Sequence, residues 1–273
     1  MEFLQPPTWR EALEARAAHP DALPIWGGTD VMVELNFARK RPPALLDLTR
    51  VSELSRWDVE DGGVRIGAGV SYTRVIDELG DRLPGLAMAS RTVGSPQIRN
   101  RGTIGGNLGS SSPAGDALPP LFATGAFVDV ASARGERRVP VEEFVVGPKR
   151  NALADDELIA GVWLPLRAGS AQQFAKVGTR NAMVIAVCSF ALDVSDGRVG
   201  TCIGSAGPTP IRAREAEAFA EGLDSWSEDA GREFGDLVAM AASPIDDVRG
   251  TAAYRRHALS VLARRTLKWA LCG

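Results

Sequence analysis

The sequence predicts a protein of mixed α and β class rather than an all-helical or all-strand fold. The chain has 273 residues, enough for one large domain or two modest ones with a buried core. Its apolar content of 45% and charged content of 24% are ordinary for globular proteins. Short apolar runs and helix-like segments intermix through residue 165, which favours an α+β or α/β organisation.

The first part of the chain carries clear helix and strand signals. Thr8 followed by Glu11 is a capping box, which predicts a helix through about Ala18. Ser71 predicts the start of a helix that continues through Leu79, and GLAMASRTV (85–93) predicts a further helix. Strands are predicted for apolar runs bounded by turn residues: LPIW (23–26), ALLDL (44–48), the hairpin WDVEDGGVRIGAGV (57–70), AFVDVAS (126–132) and ELIAGVWLP (157–165).

The second part predicts antiparallel strands followed by helices. LRAGSAQQ (166–173) has the composition of a linker. The strands predicted after it are FAKVG (174–178), AMVIAVCSFALDV (182–194) and VGTCIGSAG (199–207), with a turn at SDGR (195–198) between the last two. The helices are predicted at 211–223, 232–242 and about 251–271, where Arg255, Arg256 and His257 are expected to be solvated or structural.

Composition excludes several classes of function. The net charge of −3 and the lack of a polybasic block argue against nucleic-acid binding, and no apolar run reaches a membrane span of about 20 residues. The N-terminus lacks the features of a secretory signal, so a cytoplasmic location is expected. Three dispersed cysteines and two histidines give no metal-ligand spacing, so no metal site is predicted.

Two glycine motifs point to anion binding. Gly27-Gly28-Thr29-Asp30 follows a predicted strand, and Thr103-Ile104-Gly105-Gly106-Asn107 lies in the stretch 99–116. Paired glycines let successive N–H groups point into one concavity that holds an anionic oxygen. Two such nests would clasp the two phosphates of a dinucleotide, with Thr29, Thr103 and Asn107 as side-chain donors, although a glycine pair is also compatible with a simple turn.

The stretch 99–116 predicts an ordered irregular loop. It contains five glycines and three consecutive serines, a composition that disfavours both helix and strand. Long irregular loops in compact domains are usually functional or disordered, and Ile104 and Leu108 argue against disorder. At Gly106 a side chain would crowd a bound pyrophosphate or forbid a positive φ.

The usual dinucleotide fingerprint is absent. RIGAGVSY places Gly67 and Gly69 between a strand and a helix, but Tyr72 replaces the third glycine. No strand ending in an acidic residue follows about 20 residues later. A Rossmann site is therefore not predicted.

Four motifs in order resemble a known family across nearly the whole chain. They are WGGTDVMVELN (26–36), GSPQIRNRGTIGGNLGSSSPAGDALPPLFATGAFVDV (94–130), FAKVGTRNAMVIAV (174–187) and SPIDDVRGTAAYRRHALSVLARRTL (243–267). The sequence closely resembles the flavin-binding subunits of the molybdenum hydroxylases, the xanthine dehydrogenase and carbon monoxide dehydrogenase family. The resemblance implies an α+β fold: a two-lobed vanillyl-alcohol-oxidase-type FAD-binding domain at 1–168, with lobes at about 1–53 and 54–168, and a small α+β domain at 169–273.

The same resemblance implies which residues bind FAD. Ile25 to Val31 and Thr103 to Asn107 would surround the pyrophosphate, Asp116 would accept hydrogen bonds from ribose or ribityl hydroxyls, Ile159 would pack near a ring, and Lys176 would reach toward the isoalloxazine. The full set is Ile25, Trp26, Gly27, Gly28, Thr29, Asp30, Val31, Thr103, Gly105, Gly106, Asn107, Asp116, Ile159 and Lys176.

Two positions depart from the family pattern. Trp26 stands where a small residue is usual, and it either stacks on the adenine or fills the core. Val184 replaces an aspartate common in the pattern AMDIA, so the usual electron acceptor is not assumed.

The function implied is electron transfer within a multi-subunit enzyme. A molybdenum–pterin large subunit would oxidise the substrate, and a small subunit with [2Fe–2S] clusters would pass electrons to the flavin, which would reduce NAD, a quinone or dioxygen. No residue of this chain is assigned as a catalytic acid or base. The alternative is a self-sufficient FAD-dependent oxidoreductase that acts on its own small substrate.

Overall fold

Helices and strands intermix along the whole chain, which confirms the predicted mixed α and β class. The computed structural model describes residues 1–195, 197–223 and 225–272. The strands are β1 (Glu2–Leu4), β2 (Leu23–Ile25), β3 (Ala44–Asp47), β4 (Trp57–Glu60), β5 (Gly63–Gly67), β6 (Phe127–Ser132), β7 (Gly135–Pro140), β8 (Val145–Gly147), β9 (Arg150–Asn151), β10 (Leu158–Pro165), β11 (Ala171–Val177), β12 (Cys188–Ser195) and β13 (Arg198–Gly204). The helices are α1 (Trp9–Ala18), α2 (Val31–Asn36), α3 (Tyr72–Glu78), α4 (Pro84–Thr92), α5 (Pro96–Arg101), α6 (Ile104–Ser110), α7 (Leu118–Thr124), α8 (Val141–Phe144), α9 (Arg214–Glu221), α10 (Glu228–Ala241) and α11 (Ala252–Cys272).

A small parallel sheet forms the first lobe. Its strand order is β1-β3-β2, and β3 is buried along its whole length. Helix α1 packs on it and begins as predicted, because the Thr8 hydroxyl accepts a hydrogen bond from the Glu11 N–H at 3.3 Å. Strand β2 ends at Ile25, so the first glycine motif leaves this sheet at its carboxyl edge.

An antiparallel sheet of order β4-β5-β10-β6-β7 forms the second lobe. The predicted hairpin is present, with Asp61 and Gly62 at positive φ between β4 and β5. Helix α3 begins at Ser71, as predicted, with the Ser71 hydroxyl accepting from the Arg74 N–H. One face of the sheet packs on α7, whose residues are all buried.

The prediction of an irregular loop over 99–116 is wrong for residues 99–110, where two short helices form. Helix α5 covers residues up to Arg101, and α6 follows after a break at Gly102. Ser95 and Thr103 cap the two helices, and Ile104 and Leu108 anchor α6 in the core. Capping and burial outweigh the low helix propensity of glycine, which amounts to about 1 kcal/mol per residue.

The third sheet, of order β11-β12-β13, contacts both parts of the molecule. Side chains of Phe174, Ala191 and Cys202 join the core of the second lobe, whereas the opposite face, with Phe190 and Ile203, packs on α9 to α11. The predicted turn at 195–198 includes Asp196, which lies outside the described residues.

Two predicted boundaries in this sheet are wrong. Ala171 to Gln173, predicted as linker, pair with β12, and the buried side chain of Gln172 accepts a hydrogen bond from the Gly85 N–H at 3.2 Å. Strand β12 starts at Cys188 rather than at residue 182. Residues 178–187 form a loop because Met183 has positive φ and its carbonyl accepts from Arg180.

A buried arginine of α11 connects three separate segments of the C-terminal part of the chain. Arg255, 2% exposed, donates to the carbonyls of Val187 (3.0 Å) and Ser205 (2.6 Å) and to Asp247 Oδ1 (2.5 Å). It therefore fixes the loop before β12, the turn after β13 and the segment before α11. This is the structural salt bridge that the sequence left as one of two alternatives to a catalytic role.

We expect Arg255→Met to lower the free energy of unfolding by about 3 to 5 kcal/mol, because it removes the partner of a carboxylate and two carbonyls. Denaturant unfolding of the variant against the wild type measures this loss. The matched control is Arg256→Met at the exposed neighbouring position, which should change the stability by less than about 0.5 kcal/mol. Equal effects of the two substitutions would contradict the assigned role of Arg255.

Candidate functional site

A cavity of about 680 Å³ lies between the two lobes and is bordered by the loop 178–187. Its size is within the range of small-molecule and cofactor sites. All predicted binding residues except Lys176 line it: Ile25, Trp26, Gly27, Gly28, Thr29, Asp30, Val31, Thr103, Gly105, Gly106, Asn107, Asp116 and Ile159. Residues distant in sequence are thus assembled around one space.

The first glycine motif forms an open turn at the cavity wall. Gly28 has φ +74°, which glycine adopts without strain, and the chain then enters α2. Among the described residues, no backbone hydrogen bond is donated by the N–H groups of Gly27, Gly28 or Thr29. This turn therefore retains the free donors that the sequence predicts for an anion nest.

The second glycine motif differs from the predicted nest. The Gly105 N–H donates to Ala68 O at 3.1 Å, the Gly106 N–H to the Thr103 hydroxyl at 2.9 Å, and the Asn107 N–H to Thr103 O at 3.1 Å. These N–H groups are used within the protein, so the motif cannot offer them to an anion without rearrangement. Thr103, Gly105, Gly106 and Asn107 of the motif line the cavity, and at Gly106 the wall is a bare Cα.

Gly106 faces open space. A Cβ at this position would meet only the Thr103 hydroxyl, at 3.2 Å, whereas a Cβ at Gly105 would lie 2.5 Å from Ala68 O. Gly106 lies within α6 and does not have positive φ. The prediction that a positive φ requires glycine at this position is therefore wrong. Crowding of a ligand is the reason that remains.

Trp26 has two sets of contacts. It lines the cavity, and its indole also occupies the space that a side chain at Gly69 would need. Gly67 similarly leaves room for Leu54 O and Arg56 O. The Gly67-x-Gly69 pair that resembled a dinucleotide fingerprint therefore serves packing.

Asp116 and Lys176 form a buried ion pair across the two halves of the chain. Lys176 Nζ lies 2.5 Å from Asp116 Oδ2 and 3.2 Å from Thr92 O, and the two side chains are 6% and 8% exposed. Lys176 contacts the site through Asp116 instead of lining the cavity. Burial raises the pKa of the Asp116 carboxyl, and the charge of Lys176 acts against that shift.

Two acceptor atoms at the cavity have no partner. Asp116 Oδ1 and Asn107 Oδ1 are buried and accept no hydrogen bond from the described residues. Unpaired buried acceptors cost free energy of about 1 to 3 kcal/mol each. A ligand carrying hydroxyl or N–H donors would remove this cost, so the pair favours a polyhydroxylated ligand.

The structure adds cavity residues that the sequence did not identify. Tyr72 lines the cavity, and burial followed by the charge of Asp116 raises the pKa of its phenol. Ile98, Met183 and Ile185 add apolar side chains. Tyr72 stood out in the sequence only as a residue that broke the glycine fingerprint, and the other three lie inside the family motifs at 94–130 and 174–187 without a role assigned to them.

Two absences concern the described residues, 1–195, 197–223 and 225–272. No group of three His, Cys, Asp or Glu side chains there is arranged to hold a metal ion. No helix there is both long and apolar enough to cross a membrane.

Comparison with known proteins gives two family matches. Residues 1–167 match the model of the FAD binding domain in molybdopterin dehydrogenase. Residues 173–270 match the model of the CO dehydrogenase flavoprotein C-terminal domain.

Individual relatives cover nearly the whole chain. The nicotine 6-hydroxylase medium subunit of Paenarthrobacter nicotinovorans is 30% identical over 98% of this chain and 96% of its own length. The nicotinate dehydrogenase FAD-subunit of Eubacterium barkeri is 34% identical over 81% of this chain and 79% of its own. Among solved structures, a chain of carbon monoxide dehydrogenase from Hydrogenophaga pseudoflava superposes with a TM-score of 0.92 at 28% identity, covering 99% of this chain and 96% of that chain.

We expect Lys176→Met to lower the free energy of unfolding by about 3 to 5 kcal/mol, because it leaves the carboxylate of Asp116 buried without its partner. The double variant Lys176→Met/Asp116→Asn removes both charges and should recover part of that loss. Urea unfolding of the wild type, the two single variants and the double variant forms the cycle. Additive effects would show that the two side chains are not coupled.

Proposed function

The chain belongs to the family of FAD-binding subunits of the molybdenum hydroxylases, and on that premise we propose that it accepts electrons from an iron–sulfur partner and passes them to NAD, a quinone or dioxygen. Its cofactor is FAD. The observation that supports the proposal most directly is the cavity itself, where a turn with free N–H groups meets two unpartnered acceptors.

The described residues fit FAD by the chemistry that they present. The turn at Gly27 to Thr29 offers N–H donors to phosphate oxygens, and the bare Cα of Gly106 leaves room for them. Asp116 Oδ1 and Asn107 Oδ1 are acceptors suited to ribose or ribityl hydroxyls. Apolar side chains on the same cavity, among them Ile159, suit a flat ring.

Bound FAD supplies hydride and single-electron chemistry. The residues of this chain bind and orient it and exclude water. Lys176 acts against the rise in the pKa of Asp116 and holds its Oδ2, which leaves Oδ1 free for a hydroxyl. No residue of this chain is assigned as a general acid or base.

The chain is expected to work with partner subunits in the cytoplasm. We propose a molybdenum–pterin large subunit and a [2Fe–2S] small subunit as partners, a domain boundary near residue 168, and a cytoplasmic location. Relatives named as a medium subunit and as a subunit of a dehydrogenase complex support the partners. The acceptor is NAD, a quinone or dioxygen, and Val184, which stands where the family pattern has an aspartate, lines the cavity.

The decisive experiment is reconstitution of the purified chain with FAD, followed by co-expression with the subunits encoded beside it. One FAD per chain and a heteromer containing molybdenum, iron and FAD are expected. A chain that binds FAD, stays separate from such subunits and oxidises a small molecule on its own would instead be a self-sufficient flavoenzyme.

We expect the FAD to be bound non-covalently, because His19, His257 and the three cysteines lie outside the cavity lining. Acid precipitation should therefore release all the flavin into the supernatant, and flavin that stays with the pellet would contradict this.

We expect Gly106→Ala to weaken FAD binding at least tenfold, about 1.4 kcal/mol, while the apo-protein keeps or gains stability because alanine favours a helix. Fluorescence titration with FAD and thermal unfolding of the apo-protein measure the two effects. Gly105→Ala is the matched control, because its Cβ would meet the backbone of Ala68 and should lower stability by about 1 to 3 kcal/mol. Wild-type FAD affinity in Gly106→Ala would contradict the placement of this Cα against the cofactor.

A further inference from the structure

Helix α2 and the turn after it expose large apolar side chains. Met32 is 44% exposed, Val33 43% and Phe37 70%. Scattered exposed apolar residues are ordinary, but three within six residues form a contiguous patch. In this short helix only Glu34 is buried.

The patch has a fixed shape. Glu34 Oε1 lies 2.5 Å from Lys149 Nζ, and the backbone N–H of Lys149 donates to Ser111 O in the second lobe. The N–H groups of Arg39 and Lys40 both donate to Glu34 O, and Ala38 turns the chain at φ +54°. The exposed side chains are thus presented by a backbone that is held from both lobes.

A cationic run borders the apolar side chains. Arg39, Lys40 and Arg41 are consecutive and exposed, and the Arg39 guanidinium lies 5.3 Å from the centre of the Phe37 ring. The carboxylate beneath them, Glu34, is already paired with Lys149. This positive region stands out in a chain with 34 acidic and 31 basic residues.

The patch begins at the cavity. Val31, at the start of α2, and Lys40, in the cationic run, both line it. Whatever covers residues 32–41 therefore lies beside the bound cofactor.

Resting on the proposed function, we propose that the surface formed by Met32, Val33, Phe37, Arg39 and Arg41 docks the partner subunit that delivers electrons to the flavin, and that the partner presents an acidic, partly apolar surface to it. The position of the surface beside the cavity supports this occupant, and the exposed cationic run is the reason that we expect an acidic surface on the partner. A second copy of this chain in a two-fold contact would place the same cationic run against itself.

The test uses the holoprotein and its co-expressed subunits. Arg39→Glu/Arg41→Glu reverses the charge of the surface without changing a cavity residue, and Phe37→Ser removes the most exposed ring. The matched control is Arg256→Glu/Arg265→Glu, two exposed arginines of α11. We expect both surface variants to keep one FAD and normal reduction by dithionite but to bind the iron–sulfur subunit at least tenfold more weakly, with the charge variant also losing the salt dependence of association.

Four outcomes overturn the docking proposal, and a fifth overturns the proposed function. Wild-type binding of the iron–sulfur subunit by both surface variants would exclude this surface, and so would an equal loss in the control. If the surface variants form the complex as well as the wild type does but no longer bind phosphatidylserine vesicles, the surface binds an anionic lipid instead. If the wild-type chain holds FAD and binds no such subunit, the docking proposal fails together with the proposed partnership, whereas failure to hold FAD would show that the proposed function is wrong at its base.

Discussion

The site depends on a contact between backbones that no side chain could enter. A Cβ at Gly27 would overlap the carbonyl of Arg101, so the first turn lies directly against the end of α5. Within the second lobe, a Cβ at Gly105 would lie 2.5 Å from Ala68 O and one at Gly161 2.6 Å from Ile66 O, which is also closer than real Cβ contacts. Interiors are packed so tightly that one methyl group at such a contact must move a backbone. The cavity is the space left over once the two lobes have met in this way.

Much of this fold could be predicted from short local patterns in the sequence. Thr8 and Ser71 both cap the helices they predict, and the Asp61–Gly63 turn gives the hairpin. These signals depend on residues a few positions apart, which is why they are readable. The stretch 99–116 is not, because its helices are stabilised by burial of Ile104 and Leu108 against residues far away in sequence.

The candidate site was predictable to a similar degree and for the same reason. Its glycine turns were visible as motifs, and Asp116 and Ile159 came only from the family resemblance. Tyr72 was missed because its place in the cavity wall depends on packing against residues far away in sequence, which no spacing reveals. Lys176 was predicted to contact the cofactor, but its ammonium is held by Asp116 and Thr92. A lysine on a strand carries no information about which buried carboxylate it will meet.

The third sheet limits how the two segments of the chain can be exchanged by recombination. Phe174, Ala191 and Cys202 belong to the same apolar core as Leu118 and Phe122, although they lie beyond the linker. Two family models divide the chain near this linker, yet each segment alone would leave part of a common interior in water. Neither segment is therefore an interchangeable module: a recombination event at the linker would succeed only between parents whose residues at these five positions are sterically compatible.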